Sequence, residues 1–594
     1  MERKAYYQQK IGETGIQLQK LRTKRNGLTL FKIITTLGVI YLVYKFAVTA
    51  NYLYLQTGVA GIVIFIITNS IESRLLRKMA FLQELKKCSE VETAYLNGDF
   101  TSLPTGASFR QPTHPYALDL DLFGDHSLYQ SINRTVTSGG EQILREWLLS
   151  PCKSALEIKA RQEAVAELGK DPDWCHTFRA TGQQFHTTNN LLELANKWQQ
   201  SPVSHFRKLA LSLLYIGPIL TLSAWILCIF ELIPFLLPLY LSLVQLIIVG
   251  ANMKKINRVH AQLDSFLRSF SNHHELVRLF AEKSYQSNRL QQLHATLFAK
   301  EQNAQTATHA LHKILEGFDQ RGNLLGMAIV NGLYMRDLHL IVRVAQWKTR
   351  YAEATPAWIK AISELDALVS LANYHYNHPD HIFPCPESTQ LLQGEAIGHP
   401  LLPETRCVTN DFQIKHLHEF YIITGANMAG KSTFLRAIGV NLVLAHAGCV
   451  VNAKHFAFQP MAIFSSMRTV DNLAKGTSYF HAELLRLKQL IETAHTEERL
   501  FIILDEILKG TNSVDKLNGS RRFLEKLLTL PVAGLVATHD LELGKLEVTH
   551  PGHFINNCFE ITHTDDTITY DYKLHPGISQ NMNASILLEK MGLV

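Results

Sequence analysis

Apolar positions along the 594-residue chain fall into three rhythms. Two stretches, 28–71 and 209–253, are almost continuously apolar. Residues 255–375 carry apolar side chains at helical spacing, and from about Gly394 short apolar runs alternate with helical segments. An apolar helix of about 20 residues matches the hydrocarbon thickness of a bilayer. Leu28–Val48, interrupted by Lys32 and Lys45, and charge-free Leu53–Ile71 therefore read as a transmembrane hairpin in which both lysines snorkel to the interface. Leu209–Phe230 and Leu232–Met253, split only by Glu231, read as a second hairpin. Arg74, Arg77, Lys78, Lys86 and Lys87 follow the first, and Arg207, Lys208, Lys254, Lys255 and Arg258 flank the second. The turns carry no basic residue, so both hairpins are expected to start and end on the cytoplasmic side. The alternative for each pair is two fully buried helices in a large soluble core.

Between and after these runs the pattern is helical. Gly139-Gly140 punctuate before an amphipathic helix (Ile143, Leu144, Trp147, Leu148) that stops at Pro151, and a helix rich in Ala and Glu follows. Leu263, Phe266 and Phe270, then Leu290, Leu293 and Leu297, predict an extended, charged helical region over 255–375. His375-x-x-His378-Pro-Asp380-His381 reads as a loop of solvated histidines, because Pro379 breaks the helix that would align metal ligands.

Composition adds little to this. A net charge of +6 permits nucleic acid or anionic lipid as a partner without demanding either. Eight cysteines are scattered without a CxxC pair, as expected of reduced thiols facing the cytosol. The first apolar run is too long for a signal peptide and no small-residue cleavage site follows it.

Candidate chemistry lies in the last third. The apolar run at Tyr421–Ile423 predicts a buried strand; Gly425-x-x-x-x-Gly430-Lys431-Ser432 and a helix over Thr433–His446 follow. Strand, glycine loop and helix in that order are the setting of a phosphate-binding loop, whose backbone N–H groups face an anion. Lys431 is then placed to reach the β- and γ-phosphates of a nucleotide, and Ser432 to hold Mg²⁺. A second apolar run, Leu500–Leu504, ends in Asp505-Glu506, which suits a carboxylate for Mg²⁺ and a second to polarise the attacking water. A third, Gly534–Ala537, ends in Thr538-His539-Asp540, where His539 is expected to sense the γ-phosphate and water; the alternative is a satisfied histidine at a strand end.

Taken together these motifs resemble the MutS family of ABC-type ATPases. Thr424-Gly-Ala-Asn-Met-Ala-Gly-Lys-Ser-Thr433 is similar to the family's TGPNMGGKST, with Ala426 and Ala429 as small-residue changes. LDEILKGTNSVD (504–515) looks like its DE-x-x-x-GT-x-x-x-D, and ATHD (537–540) like its switch-histidine motif. GTSYFHAE (476–483) resembles the loop whose Ser, here Ser478, reaches the partner's nucleotide across a dimer. HPLL (399–402), Asn410-Asp411, YKLHPG (572–577), LDLFGDHSLYQSINRT and LREWLLSP also match.

The resemblance implies ATP bound by Gly425, Asn427, Met428, Ala429, Gly430, Lys431, Ser432 and Thr433, and completed by Ser478. It implies Mg²⁺ on Ser432 and Asp505, catalysis by Asp505, Glu506 and His539, and a homodimer formed through the ATPase domains. By family it also implies DNA binding, to mismatched, damaged or branched DNA. Lys254, Lys255, Arg258, Arg321, Arg336, Arg343, Lys348 and Arg350 are the basic residues compatible with phosphate contacts. A solvated helix face or lipid contact is the alternative reading, as is an ATP-driven membrane coupler without a DNA role.

The expected fold is multidomain: an α-helical MutS-type core and lever region with two transmembrane helical hairpins, plus a C-terminal α/β P-loop (ABC-type) ATPase domain. In chain order it comprises a basic cytoplasmic segment (1–27), hairpin 1 (28–71), a linker (72–117) and the first half of the helical core (118–208). Hairpin 2 (209–253), the second half of the helical core with its lever (254–385) and the ATPase domain (386–594) follow. The expected location is the inner or cytoplasmic membrane, with the ATPase in the cytoplasm. The chain departs from the mismatch-repair pattern in having neither the N-terminal domain with a Phe-x-Glu wedge nor a connector domain. A clamp insertion, an appended nuclease and most of a C-terminal dimerisation tail are likewise not expected. Position 407 is Cys where the family often has an aromatic that stacks on adenine.

Overall fold

The computed structural model describes residues 2–184, 190–200, 208–257, 259, 269–271, 273–299, 302–319, 324–468, 479–564 and 567–580. Ser478, Leu263, Phe266, Arg207, Arg258 and Arg321 lie outside the described residues.

The N-terminal region is an antiparallel pair of very long helices, α1 (Glu2–Thr49) and α2 (Tyr52–Leu96). They reverse within two residues: Ala50 takes a left-handed φ of 51° and the Asn51 side chain caps α2 by accepting from Leu53 N–H. Gly61 and Gly58 let the helices approach; a Cβ at Gly61 would stand 2.6 Å from Val39 Cγ2. The apolar halves point outward, with Ile33 53% and Leu37 63% exposed. α1 is helical from its second residue through the basic segment, and the stretch expected as a linker from 72 begins with the unbroken remainder of α2. Lys32 does not snorkel: its Nζ donates to Glu72 at 2.6 Å and to Asn69 at 2.9 Å, both on α2.

The second hairpin differs from its expected form. Its helices are Lys208–Ile229 and Leu236–Ala251, because Glu231 turns at φ 58° and Pro234 keeps the chain non-helical between them. By length and composition α1 and α2 each suffice to cross a membrane, whereas the second pair contributes the shorter apolar helices Ser212–Cys228 and Leu236–Ala251. Inside this pair Gln245 donates to Thr221 Oγ1 (2.6 Å) and Trp225 to Ser242 Oγ (3.0 Å). A third apolar helix, Leu324–Tyr334, packs on both, with Gly332 against Leu246. The region read as charged and helical, with apolar positions at helical spacing, therefore also contains one apolar helix.

Long helices bury the centre of the molecule around Thr355–Asn377, most of whose side chains are inaccessible. The roots of α1 and α2 are tied into this core by Glu92, completely buried. It accepts from Arg134 Nε and Arg179 at 2.7 Å each, and from Asn377 at 2.8 Å, while Asn377 in turn accepts from the Tyr7 hydroxyl at 2.7 Å. Burial would raise the Glu92 pKa, but the two guanidinium groups outweigh it and hold the carboxyl well below its usual range. The histidines at 375–381 are not a solvated loop. His378 meets the Tyr95 hydroxyl at 2.7 Å and stacks on His381, and burial lowers the pKa of both, to about 3 and about 4. Two residues expected to be free for phosphate are engaged: buried Lys348 donates to Trp198 C=O (2.6 Å) and Arg336 to Gly317 C=O (2.8 Å).

The C-terminal region is a sheet domain. β1 (Leu392–Ile397), β2 (Asn410–Ile414) and β4 (His455–Phe458) form a small antiparallel sheet in the order β2-β1-β4. The main sheet contains β3 (Phe420–Gly425), β5 (Ala462–Ser466), β6 (Leu500–Asp505), β7 (Val532–Ala537), β8 (Phe554–Thr564) and β9 (Thr567–Pro576). Its order is β5-β6-β7-β3-β8-β9, all parallel except the β8–β9 pair. β3 and β7 are buried throughout, as continuous apolar runs in a covered parallel sheet require.

Candidate functional site

Three strand ends meet at one edge of the main sheet. Ile423 of β3 and Asp505 of β6 both pair with Ala537 of β7, so the residues following each strand gather at the carboxyl edge. The backbone locks these ends together: Thr538 N–H donates to Ile423 C=O (3.0 Å) and Glu506 N–H to Ala537 C=O (2.9 Å). Beyond β3 the chain runs through a loop into the helix Lys431–Ala447. Glycine is needed at two points there. Gly425 (φ 145°) would drive a Cβ to 2.7 Å from Phe559 C=O, and Gly430 (φ 108°) is the left-handed residue preceding the helix.

Lys431 is buried and its ammonium donates to Gly425 C=O (2.7 Å) and Ala426 C=O (2.8 Å), with His539 Nε2 at 3.4 Å. Desolvation lowers its pKa, against the pull of Asp505 and Glu506. The Ser432 hydroxyl donates to Asp505 Oδ2 at 2.6 Å. Glu506 Oε1 lies 2.9 Å from His539 Nε2, and this hydrogen bond, with a lesser contribution from Lys509, lowers the Glu506 pKa to about 2. Glu506 and Leu508 both sit at positive φ (54° and 59°), conformations costing about 1–3 kcal/mol each. Buried Glu483 supports this turn by accepting from Leu508 and Lys509 N–H. Further along, Asn512 caps the helix Ser513–Leu527 by accepting from Asp515 N–H at 2.9 Å.

These groups line one cavity of about 950 Å³. Asn427, Met428, Ala429, Gly430, Lys431, Ser432, Thr433, Asp505, Glu506 and His539 all contribute to its wall; Gly425 stands just behind, its carbonyl holding Lys431. Ser478, expected to complete a partner's site, lies outside the described residues. The wall also contains residues given no role from sequence: His399, Arg406, Lys509, Tyr570, Asp571 and Tyr572. Cys407 lies on the same side as His399, while Tyr570 and Tyr572 stack on each other with ring centres 5.8 Å apart. Asn410 joins the small sheet to this wall, donating to Tyr572 C=O (3.1 Å) and accepting from Leu574 N–H (2.8 Å). The alternating pattern of TITYDYKL was the available signal for a tyrosine-bearing strand. The oxygen set of Ser432 and Asp505 is the hard-donor chemistry that suits Mg²⁺.

A parallel sheet, a glycine loop and a helix N-terminus closing one polar cavity define the class of α/β proteins that bind ligands at the carboxyl edge of the sheet. Within that class the comparisons are specific. The model of MutS domain III matches residues 116–372 and that of MutS domain V matches 421–589. The chain belongs to the MutS family. It is 31% identical over 232 residues to MutS protein homolog 4 of Homo sapiens, covering 37% of this chain and 24% of that protein. It is 31% identical over 237 residues to the DNA mismatch repair protein MutS of Ehrlichia ruminantium (strain Gardel), covering 39% and 28%. The MutS of Treponema pallidum matches at 26% over 500 residues, covering 76% and 54%. The chain thus spans a quarter to about half the length of these relatives.

Proposed function

We propose that this MutS-family chain is a membrane-anchored, P-loop ATPase that hydrolyses ATP at the carboxyl edge of its main sheet. One observation carries the reading: Lys431 meets His539, His539 meets Glu506 and Ser432 meets Asp505, all on the wall of one cavity of nucleotide size. The loop N–H groups and Lys431 hold the phosphates. Ser432 and Asp505 hold Mg²⁺, which neutralises charge on the phosphate oxygens when bound. Glu506, an anion at neutral pH, accepts a hydrogen bond from the attacking water, and His539 fixes the orientation of that carboxylate. Tyr572, 43% exposed on the cavity wall, offers the flat surface for a base that Cys407 lacks. Two chains pairing through these sites, each lending Ser478, complete the reading, with the domain boundaries expected from the sequence.

Glu506→Gln keeps the shape of the site and removes the anion. ATP is then expected to bind and remain unhydrolysed, read as bound nucleotide against released phosphate; unchanged turnover overturns the assignment.

The outward apolar faces of α1 and α2 support insertion into the cytoplasmic membrane, and those of the second hairpin with its third helix support a second, shorter inserted unit. Family membership favours DNA as what the lever helices grip. Against that, two of the basic candidates, Lys348 and Arg336, are already engaged by backbone carbonyls. That observation favours a second reading, an ATP-driven membrane coupler without DNA. A salt titration of duplex binding by detergent-solubilised protein, alongside ATP turnover, separates the two. Steep loss of affinity with salt and turnover stimulated by DNA support the first; turnover indifferent to DNA supports the second.

A further inference from the structure

We propose that the basic collar at the neck of the first hairpin binds anionic phospholipid headgroups. The proposal rests on the membrane reading of α1 and α2 and names the lipid they select. The collar is Lys20, Arg22, Lys24 and Arg25 on α1 with Arg74, Arg77 and Lys78 on α2.

The antiparallel pairing brings both sets to one height. Below them Leu18 packs with Met79 and Leu82, and above them Lys32 pairs with Glu72. Neither 20–25 nor 74–78 contains an Asp or Glu. None of the seven has a carboxylate within 4.0 Å among the described residues, in contrast to Lys32 just above. Six are exposed and Arg25 is half-buried. The lowest strongly exposed apolar side chain of α1 above the collar is Leu30, 61% exposed. At 1.5 Å per residue the collar residues of α1 lie about 8–15 Å below it along the axis. The interfacial layer of a bilayer is about 5–8 Å thick, within reach of a Lys or Arg side chain extended upward.

The arrangement favours a lipid leaflet over a nucleic acid. Arg22 lies about 160° around the helix from Lys24, so the charges face several directions. A leaflet surrounds the neck and meets all of them, whereas a duplex touches one side only. A duplex at this height would also lie against the anionic surface of the membrane. A basic residue beside an anionic surface contributes about a five-fold gain in affinity.

The test uses the full chain in detergent, mixed with equal amounts of phosphatidylglycerol and phosphatidylcholine, repurified, and its retained lipids counted by mass spectrometry. The wild type is expected to retain more phosphatidylglycerol than phosphatidylcholine. The quadruple Lys20→Gln, Arg22→Gln, Lys24→Gln, Arg25→Gln and the triple Arg74→Gln, Arg77→Gln, Lys78→Gln variants should each lower that ratio at least five-fold. Lys86→Gln with Lys87→Gln, farther from the apolar band, should not. Arg25 and Lys86 are half-buried and the other replaced residues exposed, and an unchanged elution volume confirms the fold. A wild type without preference, or collar variants that keep it, overturns the proposal. So does a 20-base-pair duplex that binds the wild type and not the collar variants while the lipid ratio stays the same, since the partner is then nucleic acid. Alkaline carbonate extraction of membranes tests the anchor reading separately: protein released by carbonate fails that reading, whereas retained protein without lipid preference fails only the headgroup proposal.

Discussion

Glu92 and Glu506 each set a carboxylate among basic side chains, and they do so to opposite ends. At the root of the first hairpin Glu92 is inaccessible and both its oxygens are met by Arg134, with Arg179 and Asn377 completing the set. At the sheet edge Glu506 has His539 at 2.9 Å and Lys509 only at 4.0 Å, and remains 24% exposed toward the cavity. A carboxylate whose lone pairs are all met by protein donors can only hold elements together. One with a single firm partner and an open side can act on something else. The difference separates a closed joint from an open carboxylate more clearly than charge alone does.

The largest effect should come from breaking the joint. Glu92→Ala leaves two guanidinium groups facing each other without an anion, at a cost of about 3–5 kcal/mol. A fall of that size in unfolding free energy, with ATP affinity retained in the surviving folded fraction, is the expected result in a denaturant titration. A drop below about 1 kcal/mol would mean the joint is not holding the hairpin root.

The pH dependence of Glu506 comes next. Its carboxyl moves from 4.5 to about 2 on folding, so its contribution to stability is complete above pH 4.5 and is lost as pH falls toward 2. The stability difference between wild type and Glu506→Gln should therefore be flat from pH 7 to 5 and shrink between 4.5 and 2. A difference that grows in that window would contradict the His539 pairing.

Lys509→Ala sharpens the comparison from the weak side. A pair at 4.0 Å with both partners partly exposed is worth about 0.2–1 kcal/mol, so stability should barely change. A loss as large as that of Glu92→Ala would erase the distinction between the two clusters.

Much of the site was legible in the chain because its components are local. A strand, a short loop and a helix start are contiguous, and each requires a residue type that a neighbour dictates: glycine at Gly425 and Gly430 for the backbone, Lys431 and Ser432 at the helix start. The apolar length of the first hairpin was legible for the same reason. The second hairpin was overestimated, since composition ran on past Phe230 while Glu231 and Pro234 stopped the helix. The apolar helix Leu324–Tyr334 was missed because 11 residues are too few to stand out from charged neighbours.

Long-range partners could not be read that way. Lys32 has the sequence setting of a snorkelling lysine, yet Glu72, 40 positions away, lies beside it. Tyr7 reaches Asn377 across 370 positions, and Tyr572 closes a cavity opened by residues near 430. Periodicity and motif spacing are properties of neighbours along the chain, so they dictate which segments are helix, strand or glycine loop and which family the chain belongs to. The partner of a charge depends on which distant surfaces pack together. Only the folded chain could therefore distinguish the closed joint at Glu92 from the open carboxylate at Glu506.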